Sequence, residues 1–213
     1  MSKVQIIGAP QSPLVWSVRM AAVEKGIDAE FLPGRPHTPE ILAIQPFGKI
    51  PVMRHGDFVL GESRAIALYL DGLSPRNPLV PRELKAAARA EEWVMHYLTE
   101  IVPNFMARYV VPYFFPTGAD GKPDRAAIDA AVPIAEKLLG IVDRQLDGRD
   151  HLAGPFSLAD IYFAPQLHYA RALPEASRII AGLPRLAAYI TRLTERPAFK
   201  ATIPPPLPAR SAA

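Results

Sequence analysis

The chain predicts an α/β domain followed by an all-α domain, on three observations. Short β-branched runs alternate with helical periods over roughly the first 75 residues. A stretch rich in proline then breaks every period, and beyond it the strand signals vanish while amphipathic helices continue.

Lys3 to Ile7 is a β-branched run closed by Gly8-Ala9-Pro10, a first strand and its turn. From Pro13 to Lys25 the residues Leu14, Val15, Val18, Ala21, Ala22 and Val23 keep helical spacing, and Gly26 stops the helix behind a lysine. Ala29 to Leu32 reads as a second strand. Gly34 to Pro39 is a proline-rich loop, and Glu40 to Ile44 a short helical turn. Pro51 to Arg54 and Asp57 to Leu60 form two strands around His55-Gly56, a tight hairpin. Ser63 to Leu70 is then a helix, which completes an α/β unit with a mixed sheet.

Asp71 to Pro81 carries three prolines and a glycine without an apolar period. The domains are therefore drawn as 1–76 and 82–213, with a linker at 77–81. Arg82 to Arg108 is a long helix with Ala87, Ala90, Trp93, Val94, Tyr97, Leu98 and Ile101 on one side, bent near Pro103. Arg125 to Leu146 follows, with Pro133 as a kink or a new start, then Leu158 to Leu173 and Leu183 to Arg196. The tail from Ile203, Pro-Pro-Pro-Leu-Pro, reads as an extended strap or a disordered end.

Composition excludes several classes. With no cysteine there is no disulfide, thiolate metal site or cysteine nucleophile. The five histidines lack metal-ligand spacing, so no metal is expected. A net charge of +3, spread along the chain, gives no footprint for nucleic acid. No apolar run is long enough to span a membrane, and Met1 to Ile7 is too short and polar for a signal peptide, so a cytoplasmic protein is expected.

The most informative stretch is Gln45-Pro46-Phe47-Gly48-Lys49-Ile50-Pro51-Val52, followed after a hairpin by Gly61-Glu62-Ser63-Arg64-Ala65-Ile66. Pro51 has no N–H, so the strand it opens cannot pair at that point and the backbone before it is left for a ligand. Glu62 and Ser63 stand where the first N–H groups of a helix point outward without partners. Together they suggest a grip on the backbone and charged ends of a small peptide-like molecule.

Four segments in order resemble the glutathione transferase superfamily over nearly the whole chain. Ser12-Pro13-Leu14-Val15-Trp16-Ser17-Val18-Arg19 is similar to a Ser-Pro-aromatic-Val-x-x-Val-Arg segment of many bacterial members. Gln45 to Val52 resembles the Asn-Pro-x-Gly-x-Val-Pro segment, and Glu62-Ser63 the family's Glu/Gln-Ser pair. Gly154-Pro155-Phe156-Ser157-Leu158-Ala159-Asp160-Ile161 resembles the helix-capping segment of the second domain. There are departures: Leu14 replaces the common aromatic, and Trp16 and Ser17 the usual basic pair. The lack of cysteine argues against the omega-like and beta-like branches. The lack of a Ser-Ser-Cys segment argues against the maleylacetoacetate isomerase branch, and the lack of tyrosine in the first strand or its turn against a tyrosine-type enzyme.

The resemblance implies a thioredoxin-like first domain, an all-helical second domain and a bacterial serine-type enzyme with glutathione as co-substrate. No tightly bound cofactor is needed, and the family implies a homodimer. Ser12 would donate its hydroxyl to the glutathione sulfur. A thiol of pKa about 8.5 is mostly protonated at neutral pH, and lowering it by about 1.5 units takes roughly 2 kcal/mol. One charge-assisted hydrogen bond and a helix N-terminus can supply that. The same residue also reads as a plain N-cap before Pro13; Ser17 and Gln11 are weaker candidates.

Glu62 and Ser63 would hold the γ-glutamyl end, though both also suit a helix start. Ile50, beside Pro51, would pair its backbone with the cysteinyl unit. Lys49 would reach the glycine carboxylate, unless it is a solvated loop lysine, and His37 is a second candidate there. Arg19 reads as a structural ion-pair residue. Leu14, Tyr97, Phe105, Met106 and Tyr109, with Tyr113 nearby, would line a pocket for a small hydrophobic electrophile, although such stretches also serve as core. Ser157 and Asp160 are spaced as a capping box with Phe156 and Ile161 as its staple, a structural feature. The rivals are a glutathione-dependent dehalogenase or isomerase on the same site, and a non-catalytic binding module of this fold.

Overall fold

The computed structural model describes residues 2–118 and 121–206. By internal packing these fall into two units, one running to Leu79 and taking up the chain again from Arg196, the other Val80–Glu195.

The first unit is built on a four-stranded sheet of order β2-β1-β3-β4. Its strands are β1 (Val4–Gly8), β2 (Ala29–Pro33), β3 (Val52–His55) and β4 (Phe58–Gly61). β1 pairs with β2 in parallel and with β3 antiparallel, and β3 pairs with β4 antiparallel, which is the expected mixed sheet. Val4, Ile6 and Ile7 are all buried because β1 is central and covered on both faces. Helix α1 (Pro13–Glu24) buries Val15, Trp16, Val18, Met20, Ala21 and Ala22 and packs on α3 (Ser63–Leu73), which buries Ile66, Ala67 and Leu70. Each large aliphatic side chain taken from water here contributes about 1.5–3 kcal/mol. Between the strands lies the short α2 (Pro39–Leu42), whose Ile41 joins Ile7 and Val52 in the core.

Two local expectations shift. The hairpin turns on Gly56-Asp57 and not His55-Gly56, because Gly56 supplies the positive φ of 61° that the tight turn needs. Helix α3 runs on to Leu73.

In the second unit α4 (Leu84–His96) continues through a π-helical stretch, Tyr97–Val110, into α5 (Val111–Phe114). Pro103 lies inside that stretch. It has no N–H for an α-turn and its ring crowds the carbonyl four residues back; a wider turn relieves both. Helix α6 (Arg125–Gln145) passes through Pro133 unbroken. Helix α7 (Leu158–Ala170) is apolar on nearly every side, as a helix enclosed by others must be, and Asp160 lies buried within it.

The expected helix to Leu173 ends at Ala170, and α8 (Pro174–Ala181) starts afresh on a proline, a position where the missing N–H costs nothing. Helix α9 (Pro184–Glu195) follows, then α10 (Pro197–Thr202). The sequence expectation gave everything from residue 82 to the helical domain, but α10 packs on α1 in the first unit. Of the proline-rich tail, Ile203 to Pro206 has no regular structure, and 207–213 lie outside the described residues. Among the described residues no helix is long and apolar enough to cross a membrane.

Candidate functional site

Strand register brings the motif residues to one end of the sheet. Ile7 stands opposite Val52, and Val52 opposite Gly61. The turn after Gly8, the Ile50-Pro51 pair before Val52 and the Glu62-Ser63 pair after Gly61 therefore share that end. Gly8 permits the approach: a Cβ there would meet Val15 Cγ2 at 2.6 Å and Ile50 Cβ at 3.4 Å. The Ile50–Pro51 bond is cis, and the β3 ladder begins at Val52, so the Ile50 backbone stands outside it.

Gln45 organises the other side. Buried itself, it donates from Nε2 to Glu62 Oε1 at 3.0 Å, and its Oε1 accepts from the Lys49 N–H at 3.1 Å. Gly61 makes room for it, since a Cβ there would lie 2.6 Å from Gln45 Cγ. Glu62 is exposed and stands at φ 66°, where side-chain-bearing residues rarely sit. Such backbone costs about 1–3 kcal/mol and persists where its surroundings fix it. Ser63 is buried as the first residue of α3.

Ser12 occupies the N-cap position of α1, ahead of Pro13, but its hydroxyl makes no capping bond. Half-buried, it bonds among the described residues only through its backbone, with N–H to Ala9 O at 3.0 Å and its carbonyl accepting from Trp16 N–H at 2.9 Å. Ser17 is occupied differently: its buried hydroxyl donates to Pro13 O at 2.9 Å. Gln11 Nε2 donates to Pro205 O at 3.1 Å.

Lys49 is exposed, one residue after Gly48. His37 is exposed too, its N–H bonded to Gly48 O at 2.8 Å, and a Cβ on Gly48 would lie 2.3 Å from His37 Nδ1. The His37 ring thus lies against the loop that presents Lys49. Arg19 makes no ion pair among the described residues. Its guanidinium lies 4.4 Å from the centroid of Phe31, and burial lowers its pKa.

One end of the sheet thus gathers a hydroxyl at a helix start, a carboxylate, a lysine, a histidine and a stretch of backbone outside the β3 ladder. The glutathione S-transferase N-terminal domain model matches residues 6–78, and the C-terminal domain model residues 125–192. The chain is 33% identical to glutathione S-transferase 3 of Zea mays over 230 aligned positions, covering 100% of both chains. The chain belongs to the glutathione S-transferase family.

Among solved structures this transferase is similar to glutathione transferase F7 from Populus trichocarpa, with 30% identity over 93% of this chain and 97% of the other and a TM-score of 0.85. It is also similar to glutathione S-transferase I from maize, solved in complex with an atrazine glutathione conjugate, with 26% identity over 95% and 97% of the two chains and a TM-score of 0.83. These relatives are plant proteins, whereas the motifs pointed to bacterial members.

The aromatic stretch expected to line an electrophile pocket is mostly core. Tyr97 is fully buried, 5.5 Å from Tyr162 and 5.3 Å from Phe163 between ring centroids. Phe105 and Tyr109 are buried and stacked on each other at 5.5 Å. Tyr109 accepts the Ala176 N–H at 2.9 Å and donates to Glu175 at 3.0 Å, so its hydroxyl is committed inside the helical unit. Burial, the largest cause, drives the pKa of both tyrosines up. Met106, half-buried, and Leu14, half-buried in the first turn of α1, keep some exposed surface.

Proposed function

We propose that this transferase holds glutathione at the end of the sheet and uses Ser12 to stabilise its thiolate for attack on a small hydrophobic electrophile. The observation that carries the proposal is the Ser12 hydroxyl. It stands at a helix N-terminus, and among the described residues it has no hydrogen-bond partner, so the bland role of capping is not filled.

The proposed sequence of events is short. The γ-glutamyl end is held by Glu62 on its ammonium and by Ser63 with the α3 N–H groups on its carboxylate. The cysteinyl unit pairs with the Ile50 backbone beside Pro51, and the glycine carboxylate meets Lys49, with His37 as a second contact. The thiol gives its proton to solvent, and the Ser12 O–H donates to the sulfur anion that remains. The thiolate pair then forms the new sulfur–carbon bond, and the leaving group departs with the electrons of the bond it breaks. Leu14, half-buried in the first turn of α1, is the apolar candidate for electrophile contact within the first unit. The maize relative solved with an atrazine glutathione conjugate supports a hydrophobic electrophile.

We extend the proposal to a serine-type, cytoplasmic homodimer. Light scattering in solution tests the dimer.

The site is tested by the ultraviolet absorbance of the glutathione thiolate, bound to the protein, against pH, in wild type and in Ser12→Ala. A thiol pKa below that of free glutathione, moving back up in the variant, is the expected result. An equally low pKa in both would remove Ser12 from the mechanism.

A further inference from the structure

The residues after α9 run along α1 from its last turn to the residue before Ser12. At the far end Arg196 meets Glu24 with two of its guanidinium nitrogens, Nε at 2.7 Å and Nη2 at 3.0 Å. Midway Trp16 is buried against Phe199, ring centroids 4.9 Å apart, and its Nε1 donates to Thr202 Oγ1 at 2.9 Å. At the near end Gln11 Nε2 donates to Pro205 O at 3.1 Å. Every contact belongs to the first unit, and together they follow the two segments in antiparallel order.

We infer that this C-terminal segment is a splint that sets the position of Ser12, with Gln11 as the positioning residue at its working end. The inference rests on the proposed role of Ser12. The turn between β1 and α1, from Ala9 to Ser12, contains Pro10, and among the described residues Ser12 is held there only through its backbone. Gln11 is the side chain next to it, and its anchor is a carbonyl near the end of the described chain. Pro204 to Pro206 is an apt strap, because successive prolines restrict the backbone and leave its carbonyls free to accept. A hydroxyl that must reach a sulfur within hydrogen-bond distance is sensitive to small displacements of its helix start.

The test compares the full-length protein with Gln11→Ala and with a chain ended after Ile203, which keeps Trp16–Thr202 and Glu24–Arg196. Three readouts are taken: hydrogen exchange of the amides of residues 12–17, the thiol pKa of bound glutathione, and kcat against KM with an aryl halide. The expected result in both variants is faster exchange in that first turn, a thiol pKa moved towards the free value and kcat down about tenfold, with KM for glutathione little changed. A merely structural strap would lower the melting temperature without moving the thiol pKa, and that outcome overturns the inference. Unchanged exchange at residues 12–17 overturns it as well. If Ser12→Ala, which leaves the strap intact, does not move the thiol pKa, the site proposal fails first and this inference with it.

Discussion

Gln45 Nε2 lies 3.0 Å from Glu62 Oε1 while the same amide accepts the Lys49 N–H, so one buried side chain ties together the two groups proposed for opposite ends of glutathione. It also braces the positive φ of Glu62. Replacement by alanine removes a hydrogen bond to a charged group, worth about 1.5–3 kcal/mol. In Gln45→Ala the KM for glutathione is expected to rise about tenfold or more, with a smaller change in kcat. Steady-state kinetics with glutathione varied checks this, and an unchanged KM would separate Gln45 from the binding site.

Ser12→Ala is expected to leave stability nearly intact. Serine N-caps that do their work cost about 0.5–2 kcal/mol when lost. Here the hydroxyl caps nothing and Pro13 already suits the first helical position. Urea unfolding should show a change below about 0.5 kcal/mol, a bound set by the uncapped state. A loss as large as that of a working cap would mean that the hydroxyl bonds the helix in solution.

Much of this was legible in the sequence because it is local. β-Branched runs closed by glycine and proline turns placed the first strands, Ser-Pro and Gly26 bounded α1, and Pro51 with Glu62-Ser63 marked a grip on a peptide-like ligand. What stayed hidden depends on partners distant in sequence. Nothing local distinguishes Gln45 from a solvent-exposed glutamine, because its partner is chosen by the β3–β4 hairpin and by the missing Cβ of Gly61. Tyr97 and Tyr109 belong to an aromatic stretch that suits a pocket or a core alike, and only the packing of α7 and α8 shows them enclosed. Helices α8 and α10 are short, and each opens on a proline, which reads equally well as a loop.

Glu175 sets an acid limit for the helical unit. Its partial burial pushes its pKa up. That effect is outweighed by hydrogen bonds from Tyr113, its own backbone, Arg125 and Tyr109, which hold it at about 2. A folded pKa below the unfolded one contributes stability above the usual carboxylate range, and loses it as pH falls towards 2. Glu175→Gln should therefore lose less stability than wild type between about pH 5 and pH 2. Thermal melts over that range check the sign; parallel curves would show the cluster contributes nothing to acid sensitivity.

Asp160 should matter to folding and not to glutathione. Its Oδ1 takes the Leu152 N–H at 3.0 Å and the Tyr189 hydroxyl at 2.7 Å, and its Oδ2 takes the Ser157 N–H at 2.9 Å. All of this is buried, and desolvation raises the Asp160 pKa against those bonds. Alanine would take the acceptor from these three donors and from the Ser157 hydroxyl, 3.4 Å from Oδ2, and each donor left unpaired there costs about 1–3 kcal/mol. Asp160→Ala should lose about 3–5 kcal/mol by denaturant unfolding, in line with losing one side of a buried charged network. Asparagine is no gentler substitute, because its NH2 would face one of the donors. In the fraction that folds, KM for glutathione should equal that of wild type, because these bonds lie wholly within the helical unit, whereas every group proposed to bind glutathione lies in the first. A variant of normal stability with a raised KM would reverse that assignment and move Asp160 from the core of the helical unit to the site.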